Sequence, residues 1–295
     1  MTKFSEKYSL LIMHLIVVIL GFTGILGKLI ELESSVLVWY RMLFAFLILV
    51  VFAVLKRNIK EVSKIDFFKI LGIGVVVAAH WLFFFESIKV SNVSVAVVCM
   101  ATSSLFSALL EPLFFKRKIS WKEITLSVLV IIGLWYAINA DTTYIKGYVF
   151  GVIAAFLATL FTILNSLFVD RVKSSNITLI EMLGGVFVLS AYMLYNDSFT
   201  ISSMSLTVND FVYLLILGGI CTAFAFVISV EVMKYLSPFS VIMAVNLEPL
   251  YSILLALVIF SDGTESMNNS FYFGGSIIIF AVFLDGYLKT KANKK

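Results

Sequence analysis

The chain has 295 residues, of which 61% are hydrophobic and 14% charged, with a net charge of +4. Soluble domains carry nearer a quarter charged residues and need polar cover, so this composition excludes a soluble fold and makes the bilayer the solvent. The basic residues lie in short loops between apolar runs, which excludes a nucleic-acid-binding face and leaves them as topology signals.

The first apolar run, 8–29, follows Lys3 and Lys7. It is too long for a signal-peptide core and no A-x-A site follows, so it reads as a retained first helix. Nine more segments follow, at 35–55, 66–87, 93–115, 121–139, 147–169, 177–195, 209–233, 238–260 and 270–288. Each approaches the roughly 20 apolar residues that a helix needs to cross a bilayer. Apart from 196–208, rich in Asn, Asp, Ser and Thr, the loops are short. The expected fold is an all-α integral membrane protein of ten transmembrane helices. Cys99 and Cys221, the two cysteines, sit deep in apolar segments without metal-ligand spacing. They read as small buried hydrophobes, and neither metal nor cofactor is expected.

The second half repeats the first. Glu86-Ser-Ile-Lys89 recurs as Glu231-Val-Met-Lys234, and Leu105-Phe-Ser-Ala-Leu-Leu110 as Leu250-Tyr-Ser-Ile-Leu-Leu255, both 145 positions later. Asp66-Phe67 recurs as Asp210-Phe211 one residue out of step, Phe22-Thr23 answers Phe161-Thr162, and Ser34-Ser35 answers Ser174-Ser175. Helices 1–5 form one unit, residues 1–139, and helices 6–10 a second, residues 147–295.

Positive charge sets the orientation. One side carries Lys3, Lys7, Lys56, Arg57, Lys60, Lys64, Lys116-Arg117-Lys118, Lys122, Arg171, Lys173, Lys234 and the tail from Lys289 to Lys295. The other has Lys28, Lys89 and Lys146 among acids that include Glu31, Glu33, Asp141, Asp197, Asp262 and Glu265. Both termini are therefore expected in the cytoplasm of a multi-pass protein of the cytoplasmic (inner) membrane. With five helices per unit, the second unit enters from the opposite side, the inverted-repeat plan that gives a secondary transporter two gates around one central site.

At these residues the chain resembles the drug/metabolite transporter superfamily, and within it the EamA-type ten-helix permeases. The resemblance rests on the two five-helix repeats, Gly21-Phe-Thr-Gly24, Arg41 early in helix 2, Glu86-Ser-Ile-Lys-Val-Ser-Asn92 leading into helix 4, and Asn246-Leu-Glu-Pro-Leu250 in helix 9. It covers essentially the whole chain. It implies that helices 5 and 10 pack at the periphery while the other eight surround a substrate cavity. The first repeat departs from the second in carrying Ser103-Ser104 where the second has Glu248-Pro249.

Ionisable groups inside hydrocarbon are costly and mark candidate sites. Glu248 lies roughly 15 Å into helix 9, near the midplane, beside Pro249 and close to Asn246. A carboxylate at a proline-broken helix can bind a cationic group or carry a proton. Arg41, in helix 2, either snorkels to the interface or grips a carboxylate or phosphate with its planar fork. His80 can shuttle protons near neutral pH or simply be hydrogen-bonded inside the bundle. Glu181 occupies the repeat position equivalent to Arg41 and is a candidate gate residue, with Gly21, Gly24 and Pro249 as candidate packing or hinge positions. Glu111 is expected to pair with the Lys116-Arg117-Lys118 cluster. Glu86 with Lys89, and Glu231 with Lys234, are spaced to pair within one helix.

The expected function is secondary active transport of a small-molecule metabolite, an amino acid or related amphiphile, by alternating access, with export as one direction and protons as a natural driving ion. The alternative is an intramembrane enzyme acting on lipid-linked substrates, but neither H-E-x-x-H nor paired acidic motifs occur, and no phosphate-binding loop is present. The expected partners are the substrate and the lipid bilayer, with a homodimer left open.

Overall fold

The computed structural model describes residues 6–55, 62–140, 142–260 and 267–292. The topology residues Lys3, Lys56, Arg57, Lys60, Lys294 and Lys295 and the acids Asp141, Asp262 and Glu265 lie outside them. Among the described residues there are helices and no strands, and nine spans are long and apolar enough to cross a membrane; a shorter apolar stretch, Asn269–Ala281, supplies the tenth.

Spans 1 to 3 are α1 (Glu6–Leu29), α2 (Ser34–Leu55) and α3 (Lys64–Val90). Span 4 is broken into α4 (Val93–Met100) and α5 (Ser103–Phe115). Spans 5 to 7 are α6 (Trp121–Ala140), α7 (Ile145–Ser166) and α8 (Ser174–Tyr195). Span 8 runs through α9 (Val208–Gly218), a π-helical turn (Gly219–Phe224) and α10 (Ala225–Val232). Span 9 is broken into α11 (Pro238–Val245) and α12 (Glu248–Ile259), and span 10 is α13 (Asn269–Ala292).

Two of these interruptions are absent from the sequence expectation of unbroken segments. The break expected at Pro249 has a counterpart in span 4, where no proline occupies the equivalent position, and both boundaries of α4 and the start of α5 recur 145 residues later at α11 and the start of α12. In span 4 three consecutive hydroxyls take carbonyls three residues back: Thr102 to Cys99 at 2.7 Å, Ser103 to Met100 at 2.5 Å and Ser104 to Ala101 at 3.0 Å. Such bonds compete with the helical ladder and loosen it. The two half-helices start alike, Asn92 capping α4 and Ser237 capping α11 through the backbone N–H three residues on.

The π turn explains the slip in the repeat. The offset is 144 at Asp66/Asp210 and 145 at Glu86/Glu231, so span 8 holds one residue more than span 3. A π turn accommodates one extra residue without ending the helix.

Packing follows the repeat. Span 3 lies against spans 6 and 7, and its counterpart, span 8, lies against spans 1 and 2; span 4 packs on span 6 as span 9 packs on span 1. Trp81 and Phe226, equivalent residues of the two repeats, meet edge to face with centroids 5.8 Å apart. Spans 5 and 10 stand to one side, packed on each other where Gly133 and Gly274 let the backbones touch, in a small core where Val130, Leu134, Phe271 and Ile278 meet Val95 and Val98 of span 4 and Tyr148 of span 6. The peripheral placement that the family resemblance implies is thus met. Cys99 and Cys221 are free and buried, and Glu111 pairs with Arg117 at 3.3 Å.

The two end-of-helix pairs behave differently. Glu231 pairs with Lys234 at 2.8 Å, whereas Glu86 accepts from the Ser34 hydroxyl at 2.7 Å and Lys89 donates to the Ile30 carbonyl. Glu231 also accepts from the Ser174 hydroxyl, which is the repeat of the Ser34–Glu86 contact. That conserved tie between the start of one helix and the end of the next holds each repeat's second and third spans together at opposite ends of the bundle.

Candidate functional site

Seven of the eight inner spans, all but span 7, line a cavity of about 860 Å³, counting its open mouth. Its wall is mostly apolar and aromatic, with Trp81, Phe84, Phe161 and Phe226 prominent and few polar groups among them. This is the composition of sites for small amphiphilic ligands. Toward one end of the bundle span 1 packs closely on spans 3 and 4, with Gly24 against Val93 and Gly27 against Phe85, so that a Cβ at either glycine would overlap its neighbour. Toward the other end its lining continues through Met13, Met233, Val241 and Ile242.

Arg41 is the centre of the polar arrangement. It is 1% exposed, so it does not snorkel to the interface. Its guanidinium lies 3.9 Å from the Trp81 ring centroid and 5.5 Å from that of Phe85, an orientation fixed by cation–π attraction. Its Nε donates to the Thr222 hydroxyl at 2.7 Å, and Thr222 donates in turn to the Leu217 carbonyl at 2.7 Å, five residues back. The π turn therefore aims Thr222 at Arg41. One terminal nitrogen, Nη1, is buried without a partner. A buried cation with an unused donor is an unfinished recognition site for an oxyanion.

Glu248 lines the same cavity and is 7% exposed. It forms no hydrogen bond or ion pair among the described residues, and the Arg41 charge acts on it through space. As the first residue of α12, it stands at the positive end of that half-helix, where a carboxylate is favoured. Its repeat equivalent Ser103 also lines the cavity, at the start of α5. His80 lines the wall with Nδ1 2.8 Å from the Ala154 carbonyl. A carbonyl only accepts, so Nδ1 carries hydrogen and Nε2 is the nitrogen left for the cavity.

The other candidates fall outside the cavity wall. Asn246 is 1% exposed and donates to the Ala101 carbonyl at 3.4 Å, joining the two helix breaks at repeat-equivalent positions. Pro249 is buried in the first turn of α12. Gly21 accepts from the Ser252 hydroxyl at 3.0 Å through its carbonyl, and a Cβ on Gly21 would stand 3.0 Å from that of Tyr251, so its smallness brings spans 1 and 9 together. Gly24 packs against Val93 of α4. Glu181 is fully buried behind the wall, not facing Arg41.

Sequence reading passed over Thr222, Asn165 and Ser103. Thr222 was signalled by the one-residue slip of the repeat, and Asn165 by being an amide inside an apolar segment. Ser103 was visible as the repeat equivalent of Glu248.

Comparison with known proteins accords with this architecture. The model of the EamA-like transporter family matches residues 7–139 and again residues 145–285. The chain is 23% identical over 263 residues to YxxF of Bacillus subtilis (strain 168), described as an uncharacterised transporter; the match covers 86% of this chain and 83% of the relative. A solved structure, described only as a crystal structure of a protein, aligns with a TM-score of 0.67 at 14% identity, covering 94% of this chain and 96% of its own, which shows a shared fold. The chain belongs to the EamA-like transporter family and is a multi-pass membrane transporter.

Proposed function

We propose that this family member is a secondary carrier that moves a small zwitterion with an apolar body, of the amino-acid class, by alternating access, driven by protons. The observation that carries the reading is a cavity lined by two opposite charged groups, Arg41 with an unpartnered Nη1 and Glu248 with a carboxyl that makes no direct hydrogen bond or ion pair. Arg41 receives the substrate carboxylate. Glu248 receives the ammonium. The aromatic wall takes the apolar body.

Residues 1–139 and 147–295 act as the two inverted repeats, with the termini in the cytoplasm of the inner membrane. In that orientation the closely packed Gly24–Gly27 end is external, and the end lined by Met13 and Met233 faces inward. This disposition suits loading from the cytoplasm and export.

The test is transport in proteoliposomes with L-leucine and L-phenylalanine as probes, with and without a pH gradient, alongside acetate and an alkylamine. The expected result is gradient-driven movement of the amino acids only, lost in Glu248→Gln. Equal movement of acetate, or full activity of Glu248→Gln, would overturn the assignment of the ammonium site.

A further inference from the structure

Behind the cavity lies a second polar site. Glu181 on α8 is 0% exposed, and neither of its carboxyl oxygens has a hydrogen-bond partner. Asn165, near the end of α7, is also 0% exposed and neighbours Glu181, and neither atom of its amide makes a hydrogen bond of ordinary length. Thr178, one turn before Glu181 on the same helix, has an unpartnered hydroxyl as well. Buried polar groups are nearly always paired, so several unpaired atoms in one neighbourhood mark a place for something held there.

The identity of that species follows from the surroundings. Spans 2, 3 and 8 pack against α8. Their titratable or charged side chains within the described residues are Tyr40 and Arg41 on α2, Lys64, Asp66, Lys69, His80, Glu86 and Lys89 on α3, and Asp210, Tyr213, Cys221 and Glu231 on span 8. None bonds Glu181: Arg41 is held by Thr222 and Trp81, His80 by the Ala154 carbonyl, and Asp66 by Arg171. A carboxylate that no cation pairs and no hydrogen bond of ordinary length stabilises is heavily penalised in a membrane bundle. On the far side the Glu181 backbone carbonyl abuts Gly74 of α3 too closely to admit even a methyl group. Asn165 alone belongs both to this site and to the cavity wall.

We infer that Glu181 and Asn165 form the carrier's proton-binding site, separate from the substrate groups and reached from the cavity past Asn165. The coupling role rests on the carrier reading above; the existence of the proton site does not. The neutral acid donates its O–H to Asn165 Oδ1. On release the proton passes to water in the cavity, and the resulting carboxylate accepts from Asn165 Nδ2. One amide thereby serves both states, through the acceptor and the donor it carries. In the other repeat the equivalent position is the permanently charged Arg41, so one site holds substrate and its counterpart changes charge.

The experiment reads the site without a substrate. Wild type and variants in liposomes are taken from acid to alkaline pH while infrared difference spectra follow the C=O stretch of carboxylic acids in dry surroundings. The band is expected in wild type, shifted in Glu181→Asp and Asn165→Ala, and gone in Glu181→Gln. An unchanged band in Glu181→Gln overturns the proposal, and so does its absence from folded wild type. In the same liposomes Glu181→Gln is expected to lower pH-driven L-leucine accumulation about tenfold, the scale of a coupling free energy of this kind. Unchanged accumulation removes the coupling role. Failure of wild type to carry either amino acid sinks the substrate reading, and the infrared band still decides the proton site.

Discussion

Spans 4 and 9 are broken at the same place by different chemistry. In span 9 the second half-helix begins Glu248-Pro249; in span 4 it begins Ser103-Ser104, with hydroxyls bonded back onto the preceding carbonyls. The shared break puts the starts of two half-helices at one cavity, and the difference decides what each start offers. The start of α5 carries hydroxyls, while that of α12 carries a carboxyl. Spans 2 and 7 show the same division, with Arg41 in the cavity wall and Glu181 behind it. The repeat supplies two equivalent frames, and the substitutions between them turn a symmetric pore-like space into a polar one with an anion end and a cation end.

The largest effect is expected where that polarity is removed. Arg41→Lys keeps the charge but loses the planar fork and its stacking on Trp81, and should weaken binding of an amino-acid carboxylate about 100-fold, near 2.7 kcal/mol. Isothermal titration with L-leucine measures it, and an affinity within about threefold of wild type would return Arg41 to a packing role. A smaller effect is expected from making span 8 resemble span 3. Deleting Gly219 removes the extra residue of the π turn and swings Thr222 away from Arg41. The hydrogen bond to a charged group that is lost is worth about 1.5 kcal/mol or somewhat more, which is roughly a tenfold loss of affinity. If the deletion variant folds and binds as wild type does, the π turn is not what positions Arg41.

Much of this organisation is legible in the sequence because it is carried by composition and period. Apolar length gave the ten spans, and recurring residues such as Glu86/Glu231 and Ser34/Ser174 gave the two repeats. Glu248, Arg41 and His80 stood out because ionisable side chains are rare in such segments, and all three line the cavity. What remained hidden depends on rotation about a helix axis. Asn246 and Glu181 carry the same kind of signal as Glu248, yet they face the joint between breaks and the back of the wall. Apolarity on all sides leaves no periodic stripe to tell which face is which. The break in span 4 was hidden because serine and threonine loosen a helix only when their hydroxyls turn back onto it.

The smallest expected effect tests that last point. If the break in span 9 were made by Pro249, replacing it would let the helix run through and would move Glu248. Span 4 shows that the break forms at this position with serine in place of proline, and Asn246 ties the span 9 break to the Ala101 carbonyl of its counterpart. Pro249 sits in the first turn of α12, where its missing N–H is not needed and its fixed φ suits the helix start. Pro249→Ala should therefore cost only about 0.4–1 kcal/mol, through a freer unfolded chain, and lower the melting temperature by a few degrees. L-leucine transport should stay within about threefold of wild type, a change of under 1 kcal/mol. A loss as large as that of Glu248→Gln would mean that the two breaks, alike in outline, are held open by different causes, and that in span 9 the proline is the cause.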